Sequence, residues 1–325
     1  MPAILAPYFD LLDQRNPLSY LAAGVFLFVF VVVLRATRRG RGFRFKALLR
    51  FVFPRSVYGH VSARLDYKLY LLNMPLMALF FGSVIIGVDG TARVVGSGLD
   101  HLFGTALPVT VPWPVSVAIA VVMLLALDFG YWISHFALHR SPVLWQFHKL
   151  HHSAEVMTPA TEFRQHPVEL IFMPCVMSIA SGLVLAVSLR TFGPAATRLG
   201  TIGFNVVLFV HLSTFHHLRH SHIVMPFTGV LGRLLHSPAH HLVHHSVEPA
   251  HHNRNMGYIL SVWDWAFGTL HVPQPNKRLV LGIGPHEVAH RGMVDALVRP
   301  VRDAWQIASA RRVAAKDPSA NPLRR

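Results

Sequence analysis

Cysteine is almost absent: Cys175 stands alone in 325 residues, which excludes an intramolecular disulfide and any thiolate metal site. Charge is scarce too. Only 14% of residues are Asp, Glu, Lys or Arg, against about 25% in an ordinary soluble domain. With 52% hydrophobic residues, this composition points to a membrane protein. Glycine-rich cofactor loops are missing as well. Gly193-Pro194 and Gly200 fit no dinucleotide fingerprint, nothing resembles GxGxxG after a strand, and no flavin or haem signature appears.

What is present begins with apolar runs near the roughly 20 residues that cross a bilayer. They are Leu18–Leu34, Tyr67–Val88, Val115–Ile133 (interrupted by Asp128), Leu170–Leu189 and the shorter Leu199–Val210. Positive charges follow the first run instead of preceding it, so it reads as a retained anchor and not as a cleaved signal. Arg35, Arg38, Arg39, Arg41, Arg44, Lys46, Arg50 and Arg55 come next, with no acid until Asp66. That placement accounts for much of the net +15 charge as a cytoplasmic, headgroup-facing segment. No aromatic-interleaved basic motif accompanies it, so nucleic acid is not expected as a partner.

The expected architecture is therefore all-α: an integral membrane helical bundle of about four or five apolar spans with a cytoplasmic helical cap. Residues 1–112 hold the N-terminal spans and the basic loop, 113–300 the catalytic unit, and 301–325 a basic tail. Residues 89–112 are expected to be an external loop. Leu170–Leu189 and Leu199–Val210 form an out-and-back hairpin turning at Gly193-Pro194. The tail from Arg311 reads as disordered or headgroup-bound.

Histidine is the residue in excess. Of 23 in the chain, 18 lie between His135 and His252. They are grouped as His135-x3-His139, His148-x2-His151-His152, His216-x3-His220 and His241-x2-His244-His245. Residues i, i+3 and i+4 share one helix face, so each group aims its imidazoles in one direction. The expected topology puts all four groups at or just beyond the cytoplasmic membrane boundary. Ten imidazoles exceed the four ligands of a closed zinc site and suit two ions of higher coordination, which favours iron.

The residues between the groups carry a resemblance. Trp145-Gln146-Phe147-His148-Lys149-Leu150-His151-His152-Ser153 and Arg164-Gln165-His166-Pro167-Val168-Glu169 come first. They are followed by Ser237-Pro238-Ala239-His240-His241-Leu242-Val243-His244-His245-Ser246, Asn255-Met256-Gly257 and Trp263-Asp264-Trp265-Ala266-Phe267-Gly268-Thr269. Over about residues 128–269 the chain resembles the fatty acid hydroxylase and sterol desaturase superfamily of integral membrane di-iron oxygenases.

The resemblance implies two Fe ions held almost wholly by histidine, O2 as co-substrate, and a lipid substrate that is hydroxylated or desaturated. The implied ligands are His135, His139, His148, His151, His152, His216, His220, His241, His244 and His245. The third group is open: a His-x-Asn pattern of the family reads His220-Ser221-His222 here, and His211, His217 and His222 compete with His216. Asp128, Glu162, Glu169 and Asp264 are candidates to orient ligand rings, and Arg164 is expected to pair with Glu169. Electrons must come from a separate ferredoxin, cytochrome or reductase. The expected location is a bacterial inner membrane, with the active site on its cytoplasmic face.

Two rival readings exist. His286-Glu287-Val288-Ala289-His290 is a literal HExxH, the pattern of a zinc metalloprotease, without an evident third ligand. A non-enzymatic membrane metal-binding protein is the other.

Overall fold

The computed structural model describes residues 45–105, 111–274, 278–284, 287, 290 and 292–316. The first expected span, the basic stretch as far as Arg44, and His286 lie outside the described residues. The described chain is helical, with two isolated antiparallel bridges, Leu235 to Leu260 and Ser246 to Leu281. Short helices α1 (Phe45–Val52) and α2 (Arg55–Tyr58) precede three long ones: α3 (Val61–Phe103), α4 (Trp113–Arg140) and α6 (Pro167–His211). Between the last two sits α5 (Pro142–His152). Beyond α6 come a π-helical turn (Leu212–His216), α7 (His217–Arg219), α8 (Gly229–Leu234), α9 (Pro238–His244) and α10 (Val262–Ala266). The last helix is α11 (Met293–Lys316).

Helix α6 is two arms joined at Gly193, whose φ of 76° breaks the helix and suits a residue without a Cβ. In the first arm Met177 and Ala180 lie against Gly130 of α4, and Val184 and Phe192 pack on Ile119, Met123 and Leu127. In the second arm Gly200 meets Ile119, and Thr201 reaches Met123. The chain thus goes out and comes back along α4, as the Gly193-Pro194 turn predicts. Alongside, α3 runs parallel to the first arm: Gly87 faces Ser178, Thr91 faces Gly182, and Asp100 pairs with Arg190. A Cβ at Gly182 would sit 2.5 Å from Thr91 and 2.7 Å from the Val88 carbonyl, so small residues set the close approach of these helices.

Two segments, Trp113–Arg140 and Pro167–Ala195, are long and apolar enough to cross a membrane. The expected external loop from Asp89 is corrected: α3 stays helical to Phe103, because the first arm of α6 packs along it as far as the Asp100–Arg190 pair. The tail is corrected in part, since α11 runs through Arg311 to Lys316. The expected partner of Arg164 is also different. Its guanidinium pairs with buried Asp66 at 2.7 Å and donates to the Leu150 and Ser153 carbonyls, tying α3 to the end of α5.

Candidate metal centre

The two HxxHH helices are built alike. Each starts with a serine N-cap and a proline in the first turn, Ser141-Pro142 for α5 and Ser237-Pro238 for α9. The serine hydroxyl accepts an otherwise orphaned backbone N–H, and proline has no N–H to orphan. His240 turns back to close the cap of α9 against the Ser237 hydroxyl at 2.7 Å, which separates it from the histidines that turn inward. His166 likewise accepts the Val168 N–H at 3.2 Å and bonds the Leu297 carbonyl of α11 at 3.0 Å.

Nine of the ten sequence-predicted ligands come together in two adjoining groups. His135, His139, His148, His152 and His244 form one, and His151, His220, His241 and His245 the other; within each group the candidate donor atoms lie within 4.8 Å of one another. The groups interleave. From α5, His148 and His152 enter the first group and His151 the second; from α9, His241 and His245 enter the second and His244 the first. The i, i+4 pair of each motif serves one group and the intervening i+3 histidine serves its neighbour.

The nitrogen spacing fits metal ligation better than mutual hydrogen bonding. Nε2 of His148 lies 3.1 Å from Nε2 of His135 and 3.2 Å from that of His152. In the other group the Nε2 of His220 is 3.1 Å from His151 and 2.8 Å from His241, and His241 is 3.1 Å from His245. A neutral imidazole has one N–H, so His148, His220 and His241 cannot satisfy two such neighbours and an outer partner together. Donors about 2.1 Å from an ion and at right angles to each other stand about 3.0 Å apart, in the observed range. Nε2 of His139 and of His244 is buried with no hydrogen-bond partner, as inward-facing lone pairs require.

The outer nitrogens are braced. His135 Nδ1 donates to the Met256 carbonyl at 2.9 Å, His148 Nδ1 to Glu169 at 3.0 Å, and His244 Nδ1 to the Arg254 carbonyl at 2.7 Å. His220 Nδ1 lies 2.6 Å from the Glu162 carboxylate. Such acceptors fix the tautomer that leaves Nε2 free for metal. Asp128 and Asp264 act one step further out. Asp264 accepts the N–H groups of Met256 and Gly257, the Trp132 indole and the Thr269 hydroxyl. Asp128 accepts the Ile259 N–H at 2.7 Å. Together they pin the loop whose Met256 carbonyl holds His135. Gly257 is required there, because a Cβ would fall 2.4 Å from the Leu260 carbonyl and 2.8 Å from His236. Asn255, at φ 57°, bonds the carbonyls of His240 and His271, which explains the Asn255-Met256-Gly257 signature.

Burial first, and neighbouring imidazoles second, hold His152 and His148 well below the usual histidine range. The same two causes lead for His245. Burial also leads for His151, followed by His220, and for His241, followed by Arg219. His244 is lowered to about 3, mainly by burial. These rings are neutral at pH 7, the state that binds metal. Burial raises the Glu162 carboxyl, but His216, His220 and Arg219 outweigh it and keep the group ionised.

His216 lies outside both groups, its Nδ1 bonded to the Tyr258 hydroxyl at 3.1 Å and its Nε2 3.7 Å from Glu162. His211 stands beside Tyr258, His217 beside His216, and His222 bonds the Phe51 carbonyl at 2.8 Å. Glu287 of the HExxH pattern pairs with Lys149 at 3.3 Å, and His290 faces Asp295 at 4.0 Å. Three residues with no motif of their own stand beside the groups: Arg219 at His241 of the second, Tyr131 at His135 of the first, and Tyr258 stacked on Tyr131. Arg219 donates through Nη2 to the Tyr131 hydroxyl at 3.1 Å, and the same nitrogen lies 3.1 Å from His241 Nδ1. Its position within His217-Leu218-Arg219-His220 is the only sequence signal for it.

Residues 120–269 match the family model described as fatty acid hydroxylase. The chain is similar to human alkylglycerol monooxygenase, 27% identical over 73% of this chain and 47% of that protein. It is similar to an ornithine lipid hydroxylase of Rhizobium tropici, 30% identical over 53% of this chain and 47% of that protein. The alkylglycerol monooxygenase of Caenorhabditis elegans is 26% identical over 49% of the chain and 28% of its own length. The matches thus span about half or less of these relatives. No solved structure matches the chain.

Proposed function

Because residues 120–269 belong to the fatty acid hydroxylase family, we propose that the chain is a membrane-bound di-iron oxygenase that hydroxylates, or desaturates, an unactivated C–H site of a lipid. The observation that carries this reading is the pair of adjoining all-histidine groups with neutral, inward-facing nitrogens. His135, His139, His148, His152 and His244 would hold one ion, and His151, His220, His241 and His245 the other. His216 is the candidate for a further place beside Glu162. Right-angle donor spacing favours five or six coordination, and imidazole suits iron.

Iron, when bound, supplies the reductive activation of O2. Hydroxylation consumes O2, two electrons and two protons and yields the alcohol and one water; desaturation yields an alkene and two waters. The protein's part is positional. Glu162 and Glu169 hold ligand rings, Asp128 and Asp264 hold the loop behind His135, and burial of the histidines keeps bulk water from the centre. The sequence carries no nucleotide or haem signature, so a separate ferredoxin, cytochrome or reductase is proposed as electron donor. The catalytic unit is proposed as 113–300, facing the cytoplasm from a bacterial inner membrane. No observation favours the protease reading, since Glu287 is engaged by Lys149.

The test is metal content together with lipid mass spectrometry of cells expressing the chain. About two irons per chain and lipids gaining one oxygen or losing two hydrogens are expected. In the His151→Ala, His244→Ala double variant, which leaves four donors in the first group and three in the second, product should vanish and iron should fall to about one per chain or less; wild-type product from that variant overturns the reading.

A further inference from the structure

Arg219 is a buried cation with spare hydrogen-bonding capacity. It is 1% exposed, and its guanidinium carbon lies 5.5 Å from the Tyr131 ring centre and 4.9 Å from that of Tyr258. The two rings stack on each other at 4.6 Å. Nη2 is occupied by the Tyr131 hydroxyl and His241, but Nε and Nη1 have no partner. These two atoms carry three N–H bonds. Glu162, the acid whose charge Arg219 feels, is engaged with His220. His211, at the end of the returning arm of α6, is 7% exposed with its ring 5.0 Å from Tyr258. Its Nε2 is unpartnered as well.

Unpaired charged donors are among the costliest groups to bury, and the flat guanidinium fork matches phosphate and carboxylate oxygens. Position narrows the ligand further. Tyr131 precedes His135 by one helical turn on α4 and touches its ring, while Arg219 meets His241, so this box lies on the membrane-bundle side of the histidines and touches both groups.

We propose that Arg219, with His211 and the Tyr131–Tyr258 pair, anchors an anionic oxygen group, phosphate or carboxylate, in the polar end of the lipid substrate. This rests on the reading of the chain as a lipid oxygenase and deepens it. The C–H bond attacked then lies within a few bonds of the headgroup instead of in the middle of an acyl chain, and wholly apolar lipids are poor ligands.

Binding can be tested without turnover, by the unfolding midpoint of the full-length protein in neutral detergent. The probes are 1-O-hexadecylglycerol 3-phosphate, its neutral parent 1-O-hexadecylglycerol, and inorganic phosphate. Wild-type protein should be stabilised by the phosphorylated lipid at concentrations about 30-fold below those needed with either other probe. Arg219→Gln should erase that preference while metal per chain stays unchanged. Should Arg219→Gln fail to fold, Arg219→Lys serves: it keeps the charge, loses the fork, and should lower the preference by about tenfold. Equal stabilisation by the neutral lipid overturns the proposal, and so does equal stabilisation by inorganic phosphate, which would mark a free-anion site. An Arg219 variant that loses metal but keeps the preference assigns the residue to His241 alone and also overturns it. Absence of any oxygenated lipid product would defeat the functional reading without altering this binding result.

Discussion

The two histidine groups are drawn from the same pair of HxxHH helices, yet they are supported differently. Around the five-donor group three outer nitrogens meet acceptors: the Met256 and Arg254 carbonyls and the Glu169 carboxyl. In the four-donor group His220 has Glu162, but His241 meets the donor Arg219. The first group meets a buried carboxyl, and no cation among these contacts. The second is one candidate ligand poorer and meets both the ionised Glu162 and Arg219, the cation that rests on the tyrosine pair. The contrast teaches that near-symmetry in sequence need not mean equivalent sites: a ring's outer neighbour helps decide what its inner nitrogen can do.

Removing a ligand from each group breaks the comparison most severely. His151→Ala leaves three donors in the second group, and metal should fall from about two to about one per chain with product lost. His139→Ala leaves four donors in the first, and both ions should stay, more weakly held; metal analysis after dialysis against a chelator checks both. Equal losses would mean that the groups do not differ in reserve.

Next in size are the carboxylates. Glu162→Gln and Glu169→Gln should each lower metal affinity by about 10- to 100-fold, with the greater loss for Glu162→Gln because its group has fewer ligands. Competitive chelator titration measures both, and a larger loss for Glu169→Gln would reverse the ranking.

The pH response is smaller and shared. The grouped histidines of α5 and α9 titrate below their usual range in the fold, His244 at about 3, whereas in the unfolded chain they protonate near about 6.5. The unfolded state therefore binds more protons below that value. Stability of the metal-free chain is full above about 6.5 and declines as pH falls toward the folded values. Unfolding midpoints of chelated protein between pH 7.5 and 5 should fall steadily; a flat profile would mean that the rings are not buried as neutral groups. The smallest effect is expected for His216→Ala, which should leave both ions bound. Loss of one ion would make His216 the missing fifth ligand of the second group.

The spacing of the histidines made the groups legible, because HxxHH on a helix has one geometrical meaning, and the Gly193-Pro194 hairpin was legible because a turn there had to join two apolar runs. Three features were not. Residues 89–103 have the glycine and threonine of a loop, and only packing against α6 keeps them helical. Arg164 has an acid five residues away in Glu169, yet its partner is Asp66, 98 positions earlier. The division of each HxxHH between two groups depends on where α4 and α9 sit relative to α5, and no local pattern contains that. Asp128 was marked by its cost inside an apolar run, although its contact is with the backbone at Ile259 and not with a histidine.

The supports of the centre span long stretches of chain. His135 leans on Met256, 121 residues later, and Trp132 on Asp264, 132 residues later. The first group is not complete before His244 has been synthesised, nor the second before His245, and the loop behind His135 is not pinned before Asp264. By then α3, α4 and both arms of α6 have already left the ribosome. The order of synthesis therefore separates the long helices from the completion of the histidine groups: the bundle is made first, and the residues after α6 decide whether the proposed centre can form.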